Sequence, residues 1–158
     1  MVEVPEMARA LGKITSGLFI VTAAHGEKRG GYLASWIQQV SFSPLMVSLA
    51  MKPGRTCYDL IKTHGSFCIN IIGHKNEGVM KPFWSPSAEK DPFDGLDHFV
   101  TSYGNIVLKS AMAALECEVR STITPGDHEI LFAEVMAGQE INLEDKPLNH
   151  VRKSGLQY

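Results

Sequence analysis

The sequence predicts a mainly β protein: an antiparallel barrel, closed or nearly so, of about six or seven strands with two short helices. Three observations carry this. Apolar runs of strand length recur at 17–24 (GLFIVTAA), 45–51 (LMVSLAM) and 66–72 (SFCINII), each holding β-branched residues. Leu115, Cys117 and Val119 alternate with Glu116, Glu118 and Arg120, the period-two pattern of a strand with one buried face. The connections are largely short turns, which suit antiparallel neighbours and leave no room for the crossover helices of a parallel sheet. With 158 residues, 44% hydrophobic and 20% charged, and a mean hydropathy of −0.03, the chain can bury the core of one domain, taken as 1–158, and is too short for two.

Each element has its local reason. Met7, Ala8, Leu11 and Ile14 recur at helical spacing after Pro5, so a short helix is expected, ending at Gly17. Residues 17–24 form a strand, 25–30 (HGEKRG) a polar connection, and 31–42 a second arm that carries Ser35, Gln38, Gln39 and Ser41. After Pro44, the nearly unbroken apolar run 45–51 reads as a buried strand. Residues 52–56 (KPGRT) break it. A second helix then sets Cys57, Leu60, Ile61 and His64 on one face until Gly65, with Thr56 as N-cap and Asp59 completing a weak capping box. The strand 66–72 has Asn70 inside it, and 73–95, with three prolines, reads as a long excursion with one helical turn, of the kind that often carries function. The turn 124–127 (TPGD) leads from the alternating strand into a strand over 128–136, and 143–158 is a polar ending.

Several function classes are excluded on composition and motif. Fifteen Lys+Arg against seventeen Asp+Glu, a formal charge of −2 and a pI near 6.3 argue against a nucleic-acid partner held by phosphate neutralisation. No apolar run reaches membrane-spanning length and the start, MVEVPE, has no leader character, so the expectation is a soluble, cytoplasmic protein. Cys57, Cys68 and Cys117 form no CxxC pair and the six histidines show no ligand spacing, so neither a disulfide nor a protein-bound metal is expected. GxGxxG, GxxxxGK[ST] and a Ser-His-Asp order are absent, which disfavours P-loop and hydrolytic chemistry.

Three places could hold chemistry, and at each a bland reading stands beside the functional one. Lys52, Arg55 and Thr56 at a strand end and helix start make an anion site, or an ordinary solvated turn. Along 32–41, small Ala34 and Ser35 would let a planar ligand approach the backbone while Trp36, Gln39 and Ser41 supply stacking and polar contacts; the alternative is a half-buried strand with one polar face. His128, directly after the 124–127 turn, could face a pocket or lie on the surface.

Read in order, these segments resemble the flavin reductase-like family. The resemblance rests on 11–22 (LGKITSGLFIVT), 33–44 (LASWIQQVSFSP), 66–72, 113–119 (AALECEV) and 126–135 (GDHEILFAEV), with His128 in the position of a Gly-Asp-His signature. The ending 150–158 (HVRKSGLQY) is similar to the flavin reductase modules of flavodiiron proteins. The resemblance implies an FMN-binding split β-barrel of Greek-key-like antiparallel topology and a homodimer. Ala34, Ser35, Trp36, Gln39 and Ser41 would line the isoalloxazine and ribityl chain, Lys52, Arg55 and Thr56 would hold the phosphate, and His128 would stand where nicotinamide docks; failing His128, the nicotinamide site would be sought among Trp84, His150 and Tyr158.

The function so implied is that of an NAD(P)H-dependent FMN oxidoreductase, with FMN rather than FAD as the flavin and NADH or NADPH as co-substrate. Electrons would pass to free flavin or to a separate small redox protein, such as a rubredoxin or a flavodiiron-type partner, since the sequence shows no diiron, flavodoxin or rubredoxin part. Two alternatives stay open: a flavin-holding electron-transfer module reduced by a protein partner, and a split-barrel protein for another ligand such as haem. The excursion with Phe83, Trp84 and Pro86 reads as a lid or as dimer contact. The apolar side chains Val79, Met80, Phe83, Trp84, Phe93, Leu96 and Phe99 are expected to exceed what one small barrel can bury, a second argument for a dimer.

Overall fold

The computed structural model describes residues 3–86 and 89–158. In chain order these form α1 (Glu6–Leu11), β1 (Ser16–Gly17), β2 (Phe19–His25), β3 (Lys28–Ala34), β4 (Ile37–Phe42), β5 (Leu45–Met51), α2 (Thr56–His64) and β6 (Ser66–Ile71). A 3-10 segment (His74–Met80) then runs into α3 (Lys81–Trp84), followed by β7 (His98–Val100), β8 (Ile106–Leu108), β9 (Ala113–Ile123), β10 (Glu129–Glu140) and β11 (Asn149–His150).

Seven strands make one antiparallel sheet in the order β3-β2-β6-β9-β10-β5-β4. Its two edges, β3 and β4, are consecutive in the chain and separated only by Ser35 and Trp36. The sheet therefore curls until its edges meet through the covalent chain rather than through a ladder: a split barrel. The Ala50 amide donates to the Trp36 carbonyl at 3.1 Å and ties this link to β5. Inside, alternate residues of six strands converge, among them Val21, Tyr32, Leu49, Phe67, Cys117 and Leu131, all buried. Helix α2 packs Cys57, Leu60 and Ile61 into the same core. Gly65 ends it at φ 77°, a conformation suited to glycine.

Several expectations need correction. The 25–30 connection is a two-residue turn, because Gly26 adopts φ 59° and pairs His25 with Lys28. The long arm 31–42 breaks at Ser35–Trp36, so β3 and β4 lie at opposite edges of the sheet. Helix α1 stops at Leu11 instead of Gly17, and Met7, Leu11 and Ile14 are exposed. The C-terminal segment crosses there, where a Cβ on Gly12 would come within 2.7 Å of the Ser154 backbone. Thr56 is the first helical residue and Arg55 the N-cap, with no side-chain cap, so the Thr56–Asp59 capping box does not form.

The aromatic excursion is buried in part within the chain itself, while Trp84 stays 72% exposed. Phe83 and Phe93 are 0% and 1% exposed and pack edge to face, 5.4 Å apart, in a second core with Ile20, Ile72 and Leu108. Asn70 explains why a polar residue sits inside β6. Its amide donates to the Ile20 and Ile106 carbonyls and accepts from the Leu108 amide at 2.8 Å, which fastens the β7–β8 hairpin to the barrel.

Candidate functional site

The split between β3 and β4 creates the site. On β3 the residues that face inward are Gly30, Tyr32 and Ala34, and the chain then leaves the sheet through Ser35 and Trp36. At Gly30, β3 runs beside the first turn of α2, where a Cβ would lie in ordinary contact, 3.5 Å from the Cys57 amide nitrogen. Two adjoining cavities open here. One, of about 230 Å³, is bordered by Ala34, Ser35, Trp36, Lys52, Arg55 and Tyr158 among others. The second, of about 700 Å³, takes in Arg55, Thr56, Lys28, Arg29 and the 84–86 stretch. Tyr32, Arg55, Trp84 and Ser85 belong to both walls.

Two cations and an uncapped helix start stand beside a slot bordered by Ala34, Ser35 and Trp36. Because α2 lacks a side-chain cap, the first-turn amides add to the cations Lys52 and Arg55. Among the described residues Arg55 makes no ion pair. Its guanidinium lies over the rings of Tyr32 at 5.3 Å and Tyr158 at 6.0 Å. The Tyr32 hydroxyl is buried without a hydrogen-bond partner, and burial holds its pKa well above that of an ordinary phenol. Arg29, by contrast, is engaged by Asp91 through its Nε at 2.8 Å.

A second cluster closes the smaller cavity. The His128 imidazole packs on Trp36 with 4.8 Å between ring centroids, and the Tyr158 ring lies 5.5 Å from Trp36. Nδ1 of His128 is 2.7 Å from an Asp127 carboxylate oxygen, and that hydrogen bond lowers the Asp127 pKa. With Nδ1–H donated to Asp127, the neutral ring presents Nε2 as the acceptor for the Tyr158 hydroxyl. Burial raises the Tyr158 pKa, so its hydroxyl keeps the proton for this bond. Arg152, only 8% exposed, places its guanidinium 5.1 Å from the Trp36 ring on a further side.

Of the residues expected from sequence, Ala34, Ser35, Trp36, Lys52 and Arg55 border the smaller cavity and Thr56 the larger. His128 joins through Trp36 and Tyr158. Gln39 and Ser41 border neither: β4 runs on past the split with an irregular register between them, and the Gln39 amide turns back to the Ser41 carbonyl at 3.2 Å. Trp84 and Ser85 edge both cavities while Phe83 is core, so the lid reading reduces to the 84–86 stretch. Tyr32 and Arg152 were missed. Tyr32 was legible as the inward partner of Ala34 two positions on; Arg152 had no local signal, since only folding carries the ending onto Trp36.

The three thiols are buried, Cys57 at the wall of the larger cavity. Burial pushes Cys57 and Cys117 up to about 12 and Cys68 well above an ordinary thiol. Among the described residues no group of three or more His, Cys, Asp or Glu side chains is placed to hold a metal, and no helix is long and apolar enough to cross a membrane.

Comparison with known proteins agrees with this geometry. The family described as "Flavin reductase like domain" matches residues 11–155. A putative diflavin flavoprotein A 1 of Nostoc sp. is 33% identical over 157 residues, 97% of this chain and 27% of the relative. Diflavin flavoprotein A 1 of Synechocystis sp. is 35% identical over 157 residues, with 97% and 27% covered. This chain thus spans about a quarter of the length of the curated relatives it matches. Among solved structures, a putative flavin reductase of Haemophilus somnus superposes with a TM-score of 0.84 at 21% identity, covering 96% of each chain. Nitrilotriacetate monooxygenase component B of Mycobacterium thermoresistibile gives 0.82 at 26% identity, covering 92% of this chain and 80% of that one. With the family match over residues 11–155 and relatives of 33–35% identity across 97% of its length, the chain belongs to the flavin reductase-like family.

Proposed function

We propose that this flavoprotein-family chain binds FMN and reduces it with NADH or NADPH, passing electrons on to free flavin or to a small redox protein of rubredoxin or flavodiiron type. The observation that carries the reading is Arg55: a cation with no ion pair among the described residues, at an uncapped helix start, bordering a slot lined by Ala34, Ser35 and Trp36. The residues present suit FMN rather than FAD, since they offer one compact phosphate site. Lys52, Arg55, Thr56 and the first-turn amides of α2 would hold that phosphate. Ala34 and Ser35 would let the ring system approach the backbone, and Trp36 would flank it. Bound FMN supplies the hydride-accepting chemistry itself. His128, fixed by Asp127, would then serve to position the nicotinamide, and hydride transfer asks no strong acid or base of the protein.

The contact of Tyr158 on His128 favours a second reading, in which the same site holds flavin but accepts electrons from a protein partner without productive nicotinamide binding. An anaerobic mixing experiment on FMN-loaded protein decides between them. Bleaching of the flavin absorbance by NADH or NADPH at a saturable rate supports the reductase; no bleaching by either, with retained FMN, supports the transfer module. A homodimer is also proposed, on different grounds from the 79–99 segment. The edge strand β4 and the turn after it leave Val40, Phe42 and Leu45 at 48%, 88% and 52% exposure. A reducing cytoplasm suits the buried free cysteines.

A further inference from the structure

Tyr32 carries a hydroxyl that the fold itself does not use. The residue is 4% exposed, and its oxygen has lost its hydration and gained no protein partner. Buried hydroxyls are ordinarily satisfied, so an orphan in the wall of a cavity points to a ligand acceptor. Its position narrows the chemistry. Tyr32 stands in the wall common to the two cavities, on a strand that runs beside the first turn of α2. The Arg55 guanidinium lies over its ring. A neutral O–H donor beside a cation, with no acceptor for either, matches an oxyanion more closely than a carbonyl or a ring nitrogen. Burial keeps the phenol protonated at every physiological pH, so the donor is permanent.

We propose that the Tyr32 hydroxyl is a second donor to the phosphate of the bound flavin, working beside Arg55. The inference rests on the flavin reading above. Arg55 lies over the rings of Tyr32 and Tyr158, and turning it onto the phosphate would open space above Tyr32. The hydroxyl thus costs stability in the protein alone and gains its partner only with the phosphorylated ligand, which makes Tyr32 a residue that selects FMN over riboflavin.

The test is Tyr32→Phe, which removes one oxygen and keeps the ring that Arg55 covers. Flavin fluorescence titration should show FMN binding weakened about 10-fold and riboflavin binding changed less than about 2-fold, as for loss of one hydrogen bond to a charged acceptor. Without flavin, the variant should melt about 2–4 °C higher, because an unsatisfied buried hydroxyl has been removed. Equal losses for both flavins would place the hydroxyl on the ring or ribityl chain and overturn the proposal. Unchanged FMN affinity with a lowered melting point would make the hydroxyl structural and overturn it as well. Wild-type protein that binds neither flavin would remove the flavin reading and this inference together, whereas wild-type protein that binds FMN no better than Tyr32→Phe removes the inference alone.

Discussion

Replacing Arg55 by alanine gives the most direct measure of the anion site, and the structure allows its size to be worked out. A charge-assisted contact to phosphate contributes about 1.5–3 kcal/mol. Arg55 does not come to that contact from water, however. It is half-buried, over the rings of Tyr32 at 5.3 Å and Tyr158 at 6.0 Å, and part-exposed cation–π contacts of this kind contribute about 0.5–1 kcal/mol. Those contacts are given up on binding, so the net loss in Arg55→Ala should be about 1–2 kcal/mol, roughly a 5–30-fold rise in the FMN dissociation constant. Riboflavin, which lacks the phosphate, should bind the variant about as well as wild type. Fluorescence titration of both flavins supplies the comparison, and the FMN difference should shrink as salt is raised. Arg55→Lys should recover part of the affinity, because a point charge replaces the planar fork. Equal losses for FMN and riboflavin would refute the phosphate role.

His128→Ala should keep FMN at near-native affinity and slow flavin reduction by NAD(P)H about 10–100-fold if positioning is its task; anaerobic stopped-flow traces that match wild type across pH 6 to 8 would leave it a structural residue. The Lys62 ammonium, 2.9 Å from Glu129, holds the Glu129 carboxyl below its ordinary range, and its own pKa is raised in turn. The contribution of Glu129 is therefore complete above the ordinary carboxyl value and lost as pH falls through the lowered one, while that of Lys62 is complete below the ordinary lysine value and lost as pH rises through the raised one. Urea midpoints for Glu129→Gln should accordingly be flatter than wild type on the acid limb, and an unchanged limb would show that the pair does not stabilise the fold. Phe42→Glu should shift the mass in light scattering from dimer to monomer at micromolar concentration, and wild-type protein already monomeric there would refute the dimer.

Local pattern was enough for the elements whose residues choose their own conformation. The run 45–51 became β5 because a stretch apolar but for Ser48, between Pro44 and the 52–54 turn, suits little else, and Gly65 ended α2 because few other residues accept a positive φ. The same is true of Ala34, Ser35, Trp36 and Arg55, which sit where a strand ends or a helix begins. What depended on distant chain was not legible. Nothing near Met7, Leu11 and Ile14 says that the ending will cross at Gly12 and stop the helix; nothing near Phe83 and Phe93 says that Ile20 and Leu108 will bury them. Gln39 and Ser41 had the right chemistry and the right neighbours in sequence, but the split in the barrel carries β4 away from the cavity. The sequence by itself determined a β-rich chain with a cationic turn at the start of α2, because hydrophobic period and turn chemistry act within a few residues. Only the tertiary structure decided that Tyr32, Arg55, His128, Arg152 and Tyr158 lie together, because contacts between residues as distant in the chain as Trp36 and Tyr158 exist only once the sheet has curled and the C-terminal segment has folded back across the split.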